Sequence, residues 1–259
     1  MGAGRGGRSR KIGSIILRLD SISSTNSLAS QLAESGCPDG MVIRAGIQTA
    51  GRGRRGHSWH SNSSGLWFSV VLRPRLSPRQ AQVLTFLGAV AAARALKSAG
   101  VPVELKWPND LMWNGRKMGG ILTEAVVSGG MMKYAVTGIG LNVSGGPKDF
   151  PANLRRTAVT ASQAAGKNIE LEPLFRRILA GMDALYAELR RPGGAQALVT
   201  EWGTLAAGMG QRVVLREGNR RWAGIVAGFG PDGSLIMLTS KGEKKVFHSG
   251  DVTVAKKRR

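Results

Sequence analysis

Gly51-Arg52-Gly53-Arg54-Arg55-Gly56 sets three arginines on a backbone freed by three glycines. Glycine lets a chain close on a ligand, and guanidinium groups pair with carboxylate or phosphate, so the block reads as a clamp for an anion. It also spells Gly-x-Gly-x-x-Gly, but a dinucleotide fingerprint opens a helix and is followed by an acid about 20 residues later. Here a Ser/Asn/Gly stretch and a strand pattern follow, and the next carboxylate is Glu104. A dinucleotide site is therefore rejected. An exposed loop without a ligand and a nucleic-acid loop are the competing readings.

Further along, Lys106-Trp107-Pro108-Asn109-Asp110 lets Asn109 and Asp110 project from a strand end beside a proline, where turn capping would also explain them. Lys117, just before Gly119-Gly120, is a cation beside glycines that permit close approach of a ligand; a solvated hairpin lysine is the bland alternative. Ser24, Thr25 and Asn26 form a small donor and acceptor cluster, one member of which helix capping accounts for. Gly138-Ile139-Gly140-Leu141-Asn142-Val143 is a tight backbone passage ending in an amide. His57, His60 and His248 show no metal spacing, and no residue is assigned as a metal ligand.

These residues need elements to hold them. The spacing predicts a strand over Ser14 to Leu19, a capped helix ending at Gly36, and strands over Met41 to Ile47 and Gly65 to Leu72, so that the arginine loop joins two strands. Ser77-Pro78 opens a core helix running to Gly100, and a strand follows over Val103 to Lys106. Asn114-Gly115 turns a hairpin between Leu111-Met112-Trp113 and a strand from Met118, with two more strands at Val126-Val127 and Tyr134 to Ile139. From Thr157 to Ala207 the pattern is helical, with Leu174, Ile178, Met182, Leu185 and Leu189 on one face. Beyond Gly210, five short strands separated by turns predict a small closed β-barrel. The expected division is a basic disordered tail over 1–12, a catalytic domain over 13–207, a small β domain over 208–255 and a basic tail over 256–259.

Composition sets outer bounds. A chain of 259 residues, 42% apolar, can bury roughly 70 to 75% of its unfolded surface. The single cysteine, Cys37, excludes an internal disulfide and points to a reducing, cytoplasmic setting. The longest nearly uncharged apolar stretch, Val83 to Ala93, falls short of the roughly 20 residues a membrane helix needs. The formal charge of +21 is carried largely by the body of the chain, since no acid occurs from Gly40 through Val103. Such a field favours phosphates, nucleic acid or an acidic protein, although a solvated basic surface is equally compatible with it.

Taken in order, Ser24-Thr25-Asn26, Gln48 with Gly51 to Gly56, Lys106 to Asp110, Arg116-Lys117-x-Gly119-Gly120-Ile121-Leu122-x-Glu124 and Gly138 to Val143 resemble biotin protein ligase, over about residues 14–255. That enzyme attaches biotin to the carrier domain of biotin-dependent carboxylases. The resemblance implies an α+β fold with a mixed sheet like that of class II aminoacyl-tRNA synthetases, followed by a small SH3-like β-barrel. Too few residues precede Ser14 for the DNA-binding domain some members carry, so the monofunctional form without a DNA role is expected.

The resemblance further implies biotin contacts from Ser24, Thr25, Asn26, Gln48, Gly51, Arg52, Gly53, Arg54, Lys117 and Gly120. ATP contacts are implied for Arg54, Arg55, Trp59, Asn109 and Asn142, with Mg²⁺ held through the phosphates. Lys117, Arg54 and Asp110 are the implied catalytic groups, Asp110 orienting the incoming carrier lysine or accepting its proton. His57 stands where many relatives have a second basic residue. Partners are a biotin carboxyl carrier domain and no membrane, with a homodimer left open. A lipoate protein ligase is the enzymatic alternative, and a non-enzymatic RNA-binding protein the alternative of another class.

Overall fold

The computed structural model describes residues 11–254. Residues 1–10 of the expected tail 1–12 lie outside them, as do Ala255 and the expected tail 256–259. The tail boundary at residue 12 is corrected: Ile12 is fully buried, the amides of Lys11 and Ile12 donate to Asp183 Oδ1 at 2.9 Å, and Lys11 Nζ lies 2.7 Å from Asp39.

Seven strands form one mixed sheet. They are β1 (Ile16–Ile22), β2 (Val42–Gln48), β3 (Gly65–Leu72), β4 (Glu104–Lys106), β5 (Asp110–Trp113), β6 (Arg116–Ser128) and β7 (Met131–Asn142), in the spatial order β1-β2-β3-β7-β6-β5-β4. Only β1 and β2 pair in parallel, because α1 (Thr25–Glu34) carries the chain back between them; the remaining neighbours are antiparallel. The two strands expected at Met118 and Val126 are one, β6, which stays paired with β7 from Gly119 to Ser128 across a register shift at Val126/Val127. The shift breaks the alternation that spacing relies on, so a single strand reads as two.

Strand alternation sends Leu66, Phe68, Val70 and Leu72 to one side of the sheet, under α2 (Ala81–Ser98) and α4 (Leu171–Leu189). The predicted face of α4, Leu174 through Leu189, is buried there. The other side, with Val71 and Val136, receives Ala29 and Ala33 of α1. Glu172, in the first turn of α4, receives Arg18 of β1, Arg44 of β2 and Arg176. The Arg18 hydrogen bond, helped by those of the other two arginines, outweighs burial and pulls the Glu172 pKa down to about 2.

The helical stretch resolves into α3 (Ala161–Ala165), α4 and α5 (Gly194–Leu205). Thr157 to Val159 instead bridges to β6, Lys117 N donating to Thr157 O and Val159 N to Lys117 O. A second, antiparallel sheet follows: β8 (Arg212–Glu217), β9 (Arg220–Phe229), β10 (Leu235–Thr239), β11 (Lys244–Phe247) and β12 (Asp251–Val254), in the order β11-β10-β9-β8-β12. No ladder joins β11 to β12 among the described residues. The second sheet is fastened to the first by aromatic packing: Phe86 of α2 stacks on Trp202 of α5 at 3.8 Å, and Phe229 of β9 meets both rings edge-on. The Trp107 indole N–H also donates to the Gly233 carbonyl at 3.0 Å.

Candidate active site

The pocket opens on the α1 side of the sheet, where three glycines replace side chains. Gly120 of β6 and Gly140 of β7 face each other, as do Leu122 and Gly138. A Cβ on Gly138 would overlap Asn26 Oδ1, and one on Gly140 would sit 2.7 Å from the Trp59 ring. These glycines are needed for space, not for backbone freedom.

The floor is a chain of hydrogen bonds. Ser24 Oγ caps α1 by accepting the Ser27 amide, and the next two residues then turn into the pocket. Thr25 donates from its amide at 2.8 Å and from its hydroxyl at 3.0 Å to Gln48 Oε1. Ser69 Oγ lies 2.7 Å from Thr25 Oγ1 and 2.6 Å from Asn26 Oδ1. A hydroxyl has one proton, so Ser69 cannot donate to both acceptors at once. The Asn26 amide nitrogen donates to Glu124 Oε2 at 2.8 Å and to the Leu122 carbonyl at 3.3 Å.

The arginine loop covers one side. It is a small hairpin: Trp59 N donates to Gly51 O, Gly53 N to His57 O, and Arg55 takes the left-handed turn position with φ 54°. The three guanidinium groups are not equivalent. Arg52 pairs with Glu124 of β6, and Arg55 with Asp251 of β12 at 2.8 Å. Arg54 has no carboxylate in ion-pair contact among the described residues, and its Nη1 approaches Asn109 Oδ1 at 3.3 Å. Burial pushes the Arg54 pKa down, opposed by the charges of Asp251 and Asp110. A partly desolvated cation of this kind gains most from an arriving anion.

The opposite side is Lys117, whose Nζ lies 2.6 Å from Asp110 Oδ1 and 5.3 Å from the centre of the Trp59 ring. Asn109 is fixed by donating to Ile121 O at 2.8 Å and accepting the Ile121 amide on its own carbonyl. The pocket thus places a lysine and an arginine above a neutral hydrogen-bonding floor. That suits a ligand with a polar uncharged head and an anionic tail.

A family model described as the biotin/lipoate A/B protein ligase family matches residues 19–142. The bifunctional ligase/repressor BirA of Bacillus subtilis is 35% identical over 243 residues, which are 93% of this chain and 74% of that protein. The biotin–[acetyl-CoA-carboxylase] ligase of Paracoccus denitrificans is 31% identical, over 86% of this chain and 94% of its own. The chain belongs to the biotin protein ligase family. A solved biotin protein ligase from Aquifex aeolicus, in complex with biotin and ATP, superposes with a TM-score of 0.76 at 26% identity, covering 93% of this chain and 99% of that one.

Among the residues that the biotin protein ligase resemblance singles out, the pocket gathers Ser24, Thr25, Asn26, Gln48, Arg52, Gly53, Arg54, Trp59, Asn109, Asp110, Lys117 and Gly120 along its walls. Three do not line it. Gly51 makes room for the Trp59 carbonyl, 2.5 Å from where its Cβ would be. Arg55 lies in the adjoining cleft, paired with Asp251. Asn142 lines a separate small cavity, with its amide on the Val159 carbonyl at 3.4 Å. The flexible clamp with three available arginines is also corrected: the loop is a bonded hairpin with two of them already paired. Asp251 also lines the pocket, Ser69 and Glu124 bond its lining residues Thr25 and Asn26, and the family motifs gave none of the three a role.

Proposed function

We propose that this protein is an ATP-dependent biotin ligase, which forms biotinyl-5'-AMP and transfers biotin to a lysine of a carboxylase carrier domain. The observation that carries the reading is the convergence of Lys117 and Arg54 over a Thr25-Asn26-Gln48 floor, braced by the buried Ser69, in one pocket. Thr25 and Asn26 line the pocket, and their side-chain oxygens have lone pairs for ligand N–H groups, as a ureido ring supplies and a dithiolane does not. That favours biotin over lipoate.

In the first step a biotin carboxylate oxygen bonds to the α-phosphorus of ATP and the bond to pyrophosphate breaks. Two anions brought to 4 Å repel by about 4 kcal/mol at an effective dielectric of about 20. Lys117 and Arg54 offset that repulsion and the charge that grows during transfer. In the second step the carrier lysine amine attacks the biotinyl carbonyl, AMP leaves, and Asp110 accepts the proton. The free space is about 200 Å³, and an adjoining cleft along Arg52 to His57 and Leu122 to Glu124 adds room for the second substrate. Trp59 then offers the adenine a ring to stack on, and Asn109 a polar neighbour.

The two carboxylates lining the pocket, Asp110 and Asp251, are each paired with a cation, and the described residues hold no cluster of metal-ligating side chains. In this reading Mg²⁺ would enter on the phosphates of ATP. Residues 11–207 are read as the catalytic unit, of the class II synthetase type, and the second sheet as an SH3-like module that supplies Asp251.

Biotin-dependent exchange of labelled pyrophosphate into ATP tests the proposal, with lipoate as control. Lys117→Ala should lower exchange by ~10²–10³-fold, as expected when a charge-stabilising donor is lost. Absence of biotin-dependent exchange in the wild-type protein overturns the reading.

A further inference from the structure

Glu124 touches both the buried floor and the exposed loop. It lies two residues beyond Leu122 on β6, on the same face of the sheet. Its Oε2 accepts the Asn26 amide at 2.8 Å, and its Oε1 receives the Arg52 guanidinium. Asn26 is 5% exposed, whereas the Arg52 side chain is 46% exposed. One carboxylate therefore spans from the core to the lip of the pocket.

Two consequences follow from that placement. With its amide nitrogen held by Glu124 and the Leu122 carbonyl, Asn26 must present Oδ1 to Ser69, so Glu124 sets the orientation of an amide that is otherwise free to flip. On its other side it anchors the first arginine of the hairpin, which crosses to the bridge between Arg52 and Ser58. The hairpin wall of the pocket is thus tied to the pocket floor through a single residue.

We propose that Glu124 is a positioning residue for the ligation reaction, orienting Asn26 toward the ligand head and clasping the loop over the bound adenylate through Arg52. In this arrangement Arg52 is a fastening and Arg54 is the arginine that meets the phosphate. The inference rests on the pocket being the biotin and ATP site. A purely decorative ion pair at the surface would leave kinetics unchanged, since exposed pairs contribute little.

The test compares Glu124→Ala, Glu124→Gln, Arg52→Ala and the Glu124→Ala/Arg52→Ala double variant. It reads biotin KM and kcat in pyrophosphate exchange, the escape of biotinyl-5'-AMP without carrier, and thermal unfolding. Loss of a charge-assisted hydrogen bond at Asn26 should raise biotin KM by ~10-fold in Glu124→Ala while kcat at saturation stays within about threefold. Escape of the adenylate should quicken by ~10-fold in both alanine variants, and the double variant should be no worse than the poorer single one, as for groups acting through one contact.

Multiplying effects in the double variant, or a lowered melting temperature with KM and escape unchanged, overturns the proposal. Should Glu124→Ala fail to fold, Glu124→Gln decides: it keeps an acceptor for Asn26 without the charge for Arg52, so unchanged adenylate escape in it also overturns the clasp. If the wild-type protein shows no biotin-dependent exchange, the functional reading fails instead, and that outcome is distinct.

Discussion

Lys117 Nζ sits 2.6 Å from Asp110 Oδ1 in the wall of the pocket, the two residues on neighbouring strands. Each is the other's partner before any ligand arrives, so a phosphate that takes Lys117 releases the Asp110 carboxylate. In the proposed reaction, adenylation would thereby free the carboxylate to which the second step is assigned.

Asp110→Asn separates the two steps. It should leave pyrophosphate exchange within about threefold and lower transfer to the carrier by ~100-fold, the usual scale for losing a general base. Equal losses in both assays would remove the proton-accepting role.

Gly138→Ala and Gly140→Ala place a Cβ against Asn26 Oδ1 and, at 2.7 Å, against the Trp59 ring. Overpacking of this kind costs about 1–3 kcal/mol. Both variants should fold with lowered melting temperature, and Gly138→Ala should bind biotin more weakly by calorimetry. Unaltered biotin affinity in Gly138→Ala would show that Asn26 is not part of the ligand floor.

Arg55 and Asp251 join the hairpin to β12 at 2.8 Å, with side chains 39% and 62% exposed. A double-mutant cycle on ATP KM should give a coupling on the order of 0.2–1 kcal/mol that shrinks with salt. Zero coupling at low salt would mean that the second sheet does not hold the loop.

Glu172 provides a pH signature. Its pKa is lowered from the ordinary 4.5 to about 2 in the folded protein, so its pairs contribute fully above pH 4.5 and are lost as the pH falls toward 2. Glu172→Gln should flatten the fall of unfolding stability between those values, by less than about 1 kcal/mol because the group is partly exposed. An unchanged slope in chemical denaturation would sink the assignment.

The lysine, the arginine loop and the Ser24 to Asn26 cluster stood out in the sequence because each concentrates unusual residues over a short stretch. The members left without a role were single residues in ordinary surroundings. Ser69 is the lone hydroxyl of an otherwise apolar strand, fully buried, and a buried polar residue there was the available signal. Gly138 and Gly140 are two apart on a strand, so their shared face was legible, whereas the side chains filling it were not. Asp251 meets the loop from 196 positions away, which no local spacing reveals. Asn142 and Gly51 show the converse: both lie in motifs that feed the pocket, yet one holds the Val159 carbonyl and the other admits a backbone carbonyl.

Phe86, Trp202 and Phe229 come from a helix on the large sheet, the last helix, and the second sheet. Parting the sheets would expose all three rings to water at once. The two sheets should therefore melt in one cooperative transition, and a chain ending at Ala207 would leave an aromatic face that invites aggregation.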